Sequence, residues 1–338
     1  MKIVDAALVG SGVSVSVEHK LIGGAAIDAV GSALPDDTLE ACMASDGVLL
    51  GAVGGPKWAD KSTLADSPEQ GLLKIRKSMD LFANLRPLIF FPELLEATPL
   101  RPELVEGVDC VFVRELVGGA YFGKREEGDD RAWDTIDYSR PEVDRVVRVA
   151  AELAAQRSGR LTSVDKANVL ASSRLWRKVA TEVVEADYPS LTLDHRYVDS
   201  AAMDLVLRPR DFDVVVTENM FGDILTDLAS VLPGSLGLLP SASLSYAGQP
   251  GIFEGIHGSA PDIAGKQIAN PVACILSGAL LLRHGLDMPE RADAIDAAVA
   301  QAFTDGYRTA DVAGFGADAR PTSSTSEMGD AVLERLQL

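Results

Sequence analysis

The sequence predicts an α/β protein of two domains. Strand-like and helix-like segments alternate along most of the chain, and 338 residues are enough to bury more than one core. The composition, 47% hydrophobic but only 6% aromatic, is that of an ordinary α/β enzyme.

The elements follow in chain order. Val13-Ser-Val-Ser-Val17 alternates with period two and reads as a strand. Residues 35–44 open on a proline and two aspartates, a helix-start pattern. Residues 47–51 form a short apolar run expected as a strand, and 72–81 space Leu72, Ile75 and Met79 on one helical face. Residues 88–91 and 110–114 read as strands, then 141–156 as a helix with Pro141 in its first turn. Strands at 161–165, 191–197 and 214–217 alternate with helices at 173–184, 201–207 and 221–230. Residues 269–284 and 291–302 read as helices, and 314–326 as a loose stretch before a last helix at 328–336.

Charge narrows the function. With 31 basic and 50 acidic side chains the net charge is −19, which disfavours nucleic acid and anionic membrane as partners. An anionic substrate therefore requires a local basic cluster. Cys42, Cys110 and Cys274 are odd in number, widely spaced and without a CxxC, which suits a reducing cytosol. The chain has no apolar run of transmembrane length and no signal-peptide pattern.

The most informative segment is Asn219-Met-Phe-Gly-Asp-Ile-Leu-Thr-Asp227. On a helix, Asp223 and Asp227 lie one turn apart on one face and repel unless a cation sits between them. Mg²⁺ or Mn²⁺ suits such oxygen donors; the alternative is a pair of surface or capping aspartates. Arg76, Arg86 and Arg114 could clamp a dicarboxylate, or each could be a surface arginine paired with an acid such as Glu115 or Asp80. Tyr121, in a glycine-rich loop, and Lys166, at a strand end, are proton-transfer candidates whose pKa values a nearby metal can lower; the alternative is a packed tyrosine and an exposed lysine. Neither a Gly-x-Gly-x-x-Gly turn nor a Gly-x-x-x-x-Gly-Lys-[Ser/Thr] loop is present. Glu254-Gly-Ile-His-Gly-Ser-Ala-Pro-Asp-Ile-Ala-Gly265 offers backbone N–H groups, a ring, a hydroxyl and a carboxylate instead, as a nucleotide site or as a connecting loop.

These blocks stand in a fixed order with Gly23-Gly-Ala-Ala-Ile-Asp28, Gly51-Ala-Val-Gly-Gly-Pro-Lys-Trp58, Asp80-Leu-Phe-Ala-Asn-Leu-Arg-Pro87, Arg114-Glu-Leu-Val-Gly-Gly-Ala-Tyr-Phe-Gly123 and Asp165-Lys-Ala-Asn-Val-Leu170. From about Leu21 to the C-terminus the ordered set closely resembles the isocitrate/isopropylmalate family of β-decarboxylating dehydrogenases, in its isopropylmalate branch. The resemblance implies a two-domain α/β fold unlike the Rossmann one, with a discontinuous cofactor domain (1–81 and 234–338) and a domain for dimerisation, metal and substrate (82–233). It implies a cytoplasmic homodimer whose active sites are shared between subunits. Arg76, Arg86 and Arg114 would hold the malate carboxylates, and Asp223 and Asp227 the Mg²⁺ or Mn²⁺. Asp199 and Lys166 would come from the other subunit, the first to metal and substrate, the second to the hydroxyl proton. Tyr121 would protonate the enol carbon, and Glu69, Leu72 and Leu73 would face the substrate side chain. His257, Gly258, Ser259, Ala260, Asp262 and Asn270 would contact NAD, with Asp262-Ile263 the choice that favours NAD over NADP.

The activity so implied is oxidative decarboxylation of 3-isopropylmalate to 2-oxoisocaproate, a step toward leucine. A D-malate- or tartrate-type relative and a catalytically silent dimer are the alternatives. Two departures stand out. Val117 replaces the Thr or Ser usual before the two glycines, with a mild effect expected. The family's opening strand and Gly-Asp-Gly-Ile-Gly-Pro-Glu loop also have no counterpart, since Met1-Lys-Ile-Val-Asp-Ala-Ala-Leu8 already matches the middle of the following helix. The expectation is a true start upstream of Met1.

Overall fold

The computed structural model describes residues 1–58, 67–314 and 321–338. Its chain falls into two compact units: Met1–Leu81 with Glu93–Thr98 and Gly234–Leu338, and Phe82–Pro92 with Pro99–Pro233. The described strands are β1 (Gly47–Leu49), β2 (Ala83–Leu88), β3 (Cys110–Glu115), β4 (Arg125–Glu126), β5 (Trp133–Asp134), β6 (Arg160–Asp165), β7 (Thr192–Tyr197), β8 (Val214–Thr217), β9 (Pro240–Leu244) and β10 (Gly251–Gly255). Among the described residues no helix is long and apolar enough to cross a membrane.

In the first unit β1 runs parallel to β10, and β10 antiparallel to β9, with Gly47 opposite Gly251 and Phe253 opposite Ala242. The helix Val272–Leu280 covers β9 and β10, and Pro289–Thr304 packs on that helix. On the β1 side, Leu34, Cys42, Leu50, Ile75, Met79, Leu81 and Ile252 form one buried cluster, with Leu72 packed against it.

The second unit carries the order β2-β3-β8-β6-β7. The β2–β3 pair is antiparallel; β3, β8, β6 and β7 run parallel. All residues of β3 and β8 are buried, as expected of strands covered on both faces. The helix Arg140–Ala155 lies against β3, β6 and β8, and Asn219–Ala229 against β3. Arg114, Thr217 and Val164 stand in register, so β3, β8 and β6 end together. The loop after β3, the helix after β8 and Lys166 after β6 all issue from that end, where α/β sheets place their ligands.

Several expected elements are displaced. Residues 13–17 form no strand: all five side chains are exposed, so the alternation buries nothing. The strand expected at 88–91 is Ala83–Leu88, where Asn84, Arg86 and Pro87 disguise a buried segment. The helix expected at 72–81 runs Pro68–Ser78, capped by Ser67, which accepts from the N–H of Gln70. The helix expected at 269–284 is Val272–Leu280 followed by a π turn, Leu281–Gly285. Strands β9 and β10 and the helix Gly23–Val30 were not expected, whereas the helix Lys2–Ala7 falls where Met1–Leu8 reads as helical. Much of the loose stretch 314–326, residues 315–320, lies outside the described residues.

Candidate active site

Asp223 organises the second unit's site. It sits on the second turn of Asn219–Ala229, whose N-cap is Glu218, so neither Asp223 nor Asp227 is a capping aspartate. Arg114 Nη1 donates to Asp223 Oδ1 at 2.5 Å, and Tyr121 Oη donates to Oδ2 at 2.7 Å. Arg86 Nη2 lies 3.7 Å from Oδ1. Arg114 also donates from Nε and Nη2 to Asn219 Oδ1, at 3.0 and 2.7 Å, and its guanidinium stacks over the Tyr121 ring. Arg86 donates to Asn84 Oδ1 and Thr226 Oγ1, each at 2.6 Å.

Arg76, Arg86 and Arg114 are therefore not surface arginines; they are 8%, 9% and 2% exposed. Neither Glu115 nor Asp80 accounts for the observed pairs: Arg76 is in the first unit, where Nη2 donates to the buried Glu254 at 2.9 Å. Its helix also carries Glu69, close to Gly54, and the half-buried Leu72 and Leu73.

Charge on the aspartate face behaves as repulsion requires. Partial burial, then the negative charge of Asp223, pushes the Asp227 carboxyl above its ordinary range. Burial and its hydrogen bond to Asp223 push the Tyr121 phenol up to about 12. It is thus held as a protonated donor.

Lys166 and Asp199 come together as a separate pair, with Nζ 2.6 Å from Oδ1. That lysine holds the Asp199 carboxyl below its usual range. Asp199 is exposed on the first turn of Val198–Leu207. Lys166 is placed by Asp165, which is 1% exposed, accepts two hydrogen bonds from Arg177 and accepts the N–H of Ala167. Among the described residues no three His, Cys, Asp or Glu side chains converge as a metal cluster, so Asp199 does not join Asp223 and Asp227 within one chain.

In the first unit, residues 257–262 form a loop after β10. Ser259 Oγ donates to the Gly54 carbonyl at 2.8 Å, Ala260 holds a left-handed φ of 42°, and Gly258 and Asp262 are exposed. His257 lies beside Cys274, and Asn270 donates to Asp311 and accepts the N–H of Val272.

Sequence reasoning missed the polar layer beneath this site. Glu115, fully buried, accepts the N–H groups of Val117 and Gly118 and the Tyr138 hydroxyl, and so shapes the turn leading to Tyr121. Glu218, also buried, accepts the N–H of Phe221 through one oxygen, while the other has no partner. Burial pushes both carboxyls up to about 7. Both lie within or beside motif blocks, which was the available signal.

The family model described as isocitrate/isopropylmalate dehydrogenase matches residues 1–332. The chain is 56% identical to a 3-isopropylmalate dehydrogenase of Rhodopirellula baltica, over 93% of this chain and 88% of that protein. It is 54% identical to the one from Geobacillus kaustophilus, over 94% and 86%. The crystal structure of isocitrate dehydrogenase from Methylococcus capsulatus superposes with a TM-score of 0.85 at 35% identity, covering 100% of this chain and 96% of that one. With its mixed α/β fold, and with buried arginines meeting a half-buried tyrosine and aspartate at one strand end, this chain belongs to the isocitrate/isopropylmalate dehydrogenase family of oxidoreductases.

Proposed function

We propose that this chain is a cytoplasmic, homodimeric enzyme that oxidatively decarboxylates 3-isopropylmalate to 2-oxoisocaproate, in the direction of leucine, using NAD and Mg²⁺ or Mn²⁺. The observation that carries the reading is Asp223, whose two oxygens meet Arg114 and Tyr121 one helical turn from Asp227.

The donor set fits a hard cation. Asp223 and Asp227 offer only oxygen atoms, Asp227 is exposed, and their mutual repulsion is what a cation relieves. Those two residues would hold it, with Asp199 of a second subunit completing the set. When bound, the cation supplies Lewis acidity to the substrate's hydroxyl and carbonyl oxygens. The exposed 257–262 loop, with Asn270, fits the polar edge of a dinucleotide, and Asp262 disfavours a 2′-phosphate there by charge. When bound, NAD accepts the hydride.

The chain's own residues do the rest. Arg86 and Arg114 donate to the substrate carboxylates as preoriented, buried forks, and Arg76 is assigned to the same dianion. Lys166 Nζ of a second subunit assists removal of the hydroxyl proton, and Tyr121 Oη returns a proton to the carbon that has lost CO₂. Leu72 and Leu73 give the isopropyl group an apolar contact, with Glu69 on the same helix.

The test is NADH formation by the purified chain with 3-isopropylmalate, NAD and Mg²⁺, with D-malate in parallel. Turnover that prefers isopropylmalate and stops on chelation is expected. Preference for D-malate would move the substrate assignment; silence with both would remove the catalytic one.

A further inference from the structure

Cys274 is exposed and stands third in the helix Val272–Leu280, with Sγ 3.7 Å from His257 Nε2. His257 Nδ1 lies 3.0 Å from the Gly258 carbonyl oxygen. A carbonyl can only accept, so Nδ1 carries the ring proton and Nε2 turns its lone pair toward the thiol. The ring owes that position to Gly255, where a Cβ would stand 2.5 Å from Nε2. The hydrogen bond from Cys274 in turn raises the affinity of His257 for a proton. The other two thiols lack this setting. Cys42 and Cys110 are buried, and burial pushes Cys110 up to about 12.

We propose that Cys274 and His257 form a thiol–imidazole couple that makes Cys274 the chain's site of oxidation by hydroperoxides. The couple rests on this geometry and does not require the cofactor reading of the loop. In the step, Nε2 takes the S–H proton as the sulfur attacks one oxygen of hydrogen peroxide. The S–O bond forms, the O–O bond breaks, and the departing hydroxide takes the imidazolium proton and leaves as water. Sulfur is oxidised by two electrons to the sulfenic acid and the peroxide is reduced.

The experiment treats the full chain with hydrogen peroxide, traps sulfenic acid with dimedone and maps the adduct by peptide mass spectrometry. The adduct is expected on Cys274 and not on Cys42 or Cys110. Its rate of formation should exceed that of the same cysteine in the urea-unfolded chain by about tenfold, and His257→Ala should remove most of that difference. Equal rates in the folded and unfolded chain overturn the proposal, as does a His257→Ala variant that reacts as fast as the unaltered protein. The folded-against-unfolded comparison uses the unaltered chain, so it decides the matter even where the variant misfolds.

Discussion

Asp223 shows how much one side chain's surroundings determine its use. It anchors Tyr121 and Arg114 at once, so loss of the phenol hydroxyl alone is a clean probe. Tyr121→Phe is expected to lower kcat by about 10²- to 10³-fold with KM little changed, as for a group that acts in proton transfer. A KM effect without a kcat effect would assign Tyr121 to binding instead. The buried carboxyls give a prediction in pH. Glu115 and Glu218 are each raised from about 4.5 to about 7, so the folded chain binds their protons more tightly than the unfolded one. No cost arises below the unfolded value, where both states are protonated; the folded state is penalised progressively as pH rises through 7. Stability to urea should therefore fall between about pH 5 and 8, by on the order of 3 kcal/mol for one fully ionised group, with a shallower fall in Glu218→Gln. Equal slopes in the two proteins would sink this account. The arginines, Tyr121 and the aspartates could be named from the ordered motif blocks in which they stand; their residue types alone left surface and packed roles open. Glu115, Tyr138 and Glu218 could not be named, since an acid or phenol gains its role here only by being buried.

Among elements, β3 and β8 could be read directly, because strands covered on both faces carry unbroken apolar or β-branched runs, here Cys110–Val113 and Val214–Thr217. Strand β2 could not, since its polar residues serve the site: Asn84 and Arg86 bond to each other, and Arg86 reaches Thr226. Residues 13–17 show the opposite failure, a strand pattern with nothing to pair with or cover it. The helix Asn219–Ala229 can approach β3 because residue 222 has no side chain. A Cβ there would stand 2.6 Å from Arg114 Cγ, part of the buried stem and not its mobile end. Gly222→Ala should therefore displace the Arg114 guanidinium, costing about 1–3 kcal/mol in urea melts and weakening substrate affinity more than NAD affinity. A variant with unchanged stability and unchanged substrate affinity would show that the helix can shift to admit the methyl.

At the scale of the molecule, the acidic excess was visible before any element. With a net charge of −19 the compact state repels itself, and salt screens that repulsion. Raising NaCl from about 10 to 300 mM should raise the unfolding temperature; a fall would mean that the ion pairs outweigh the net charge. The order of segments has a consequence for synthesis. The first unit takes its final stretch, Gly234–Leu338, from the end of the chain, and β1 finds its partner β10 only about two hundred residues downstream. At about 5–20 residues per second a ribosome finishes the second unit about one to four seconds before the first has all its strands. The nascent amino-terminal stretch, Met1–Leu81, must wait with its apolar faces uncovered while the middle of the chain can already close. The span from Gly47 to Gly251 is therefore where a holding chaperone has most to do, and nascent chains halted before Gly251 should yield protease-resistant fragments from the second unit alone.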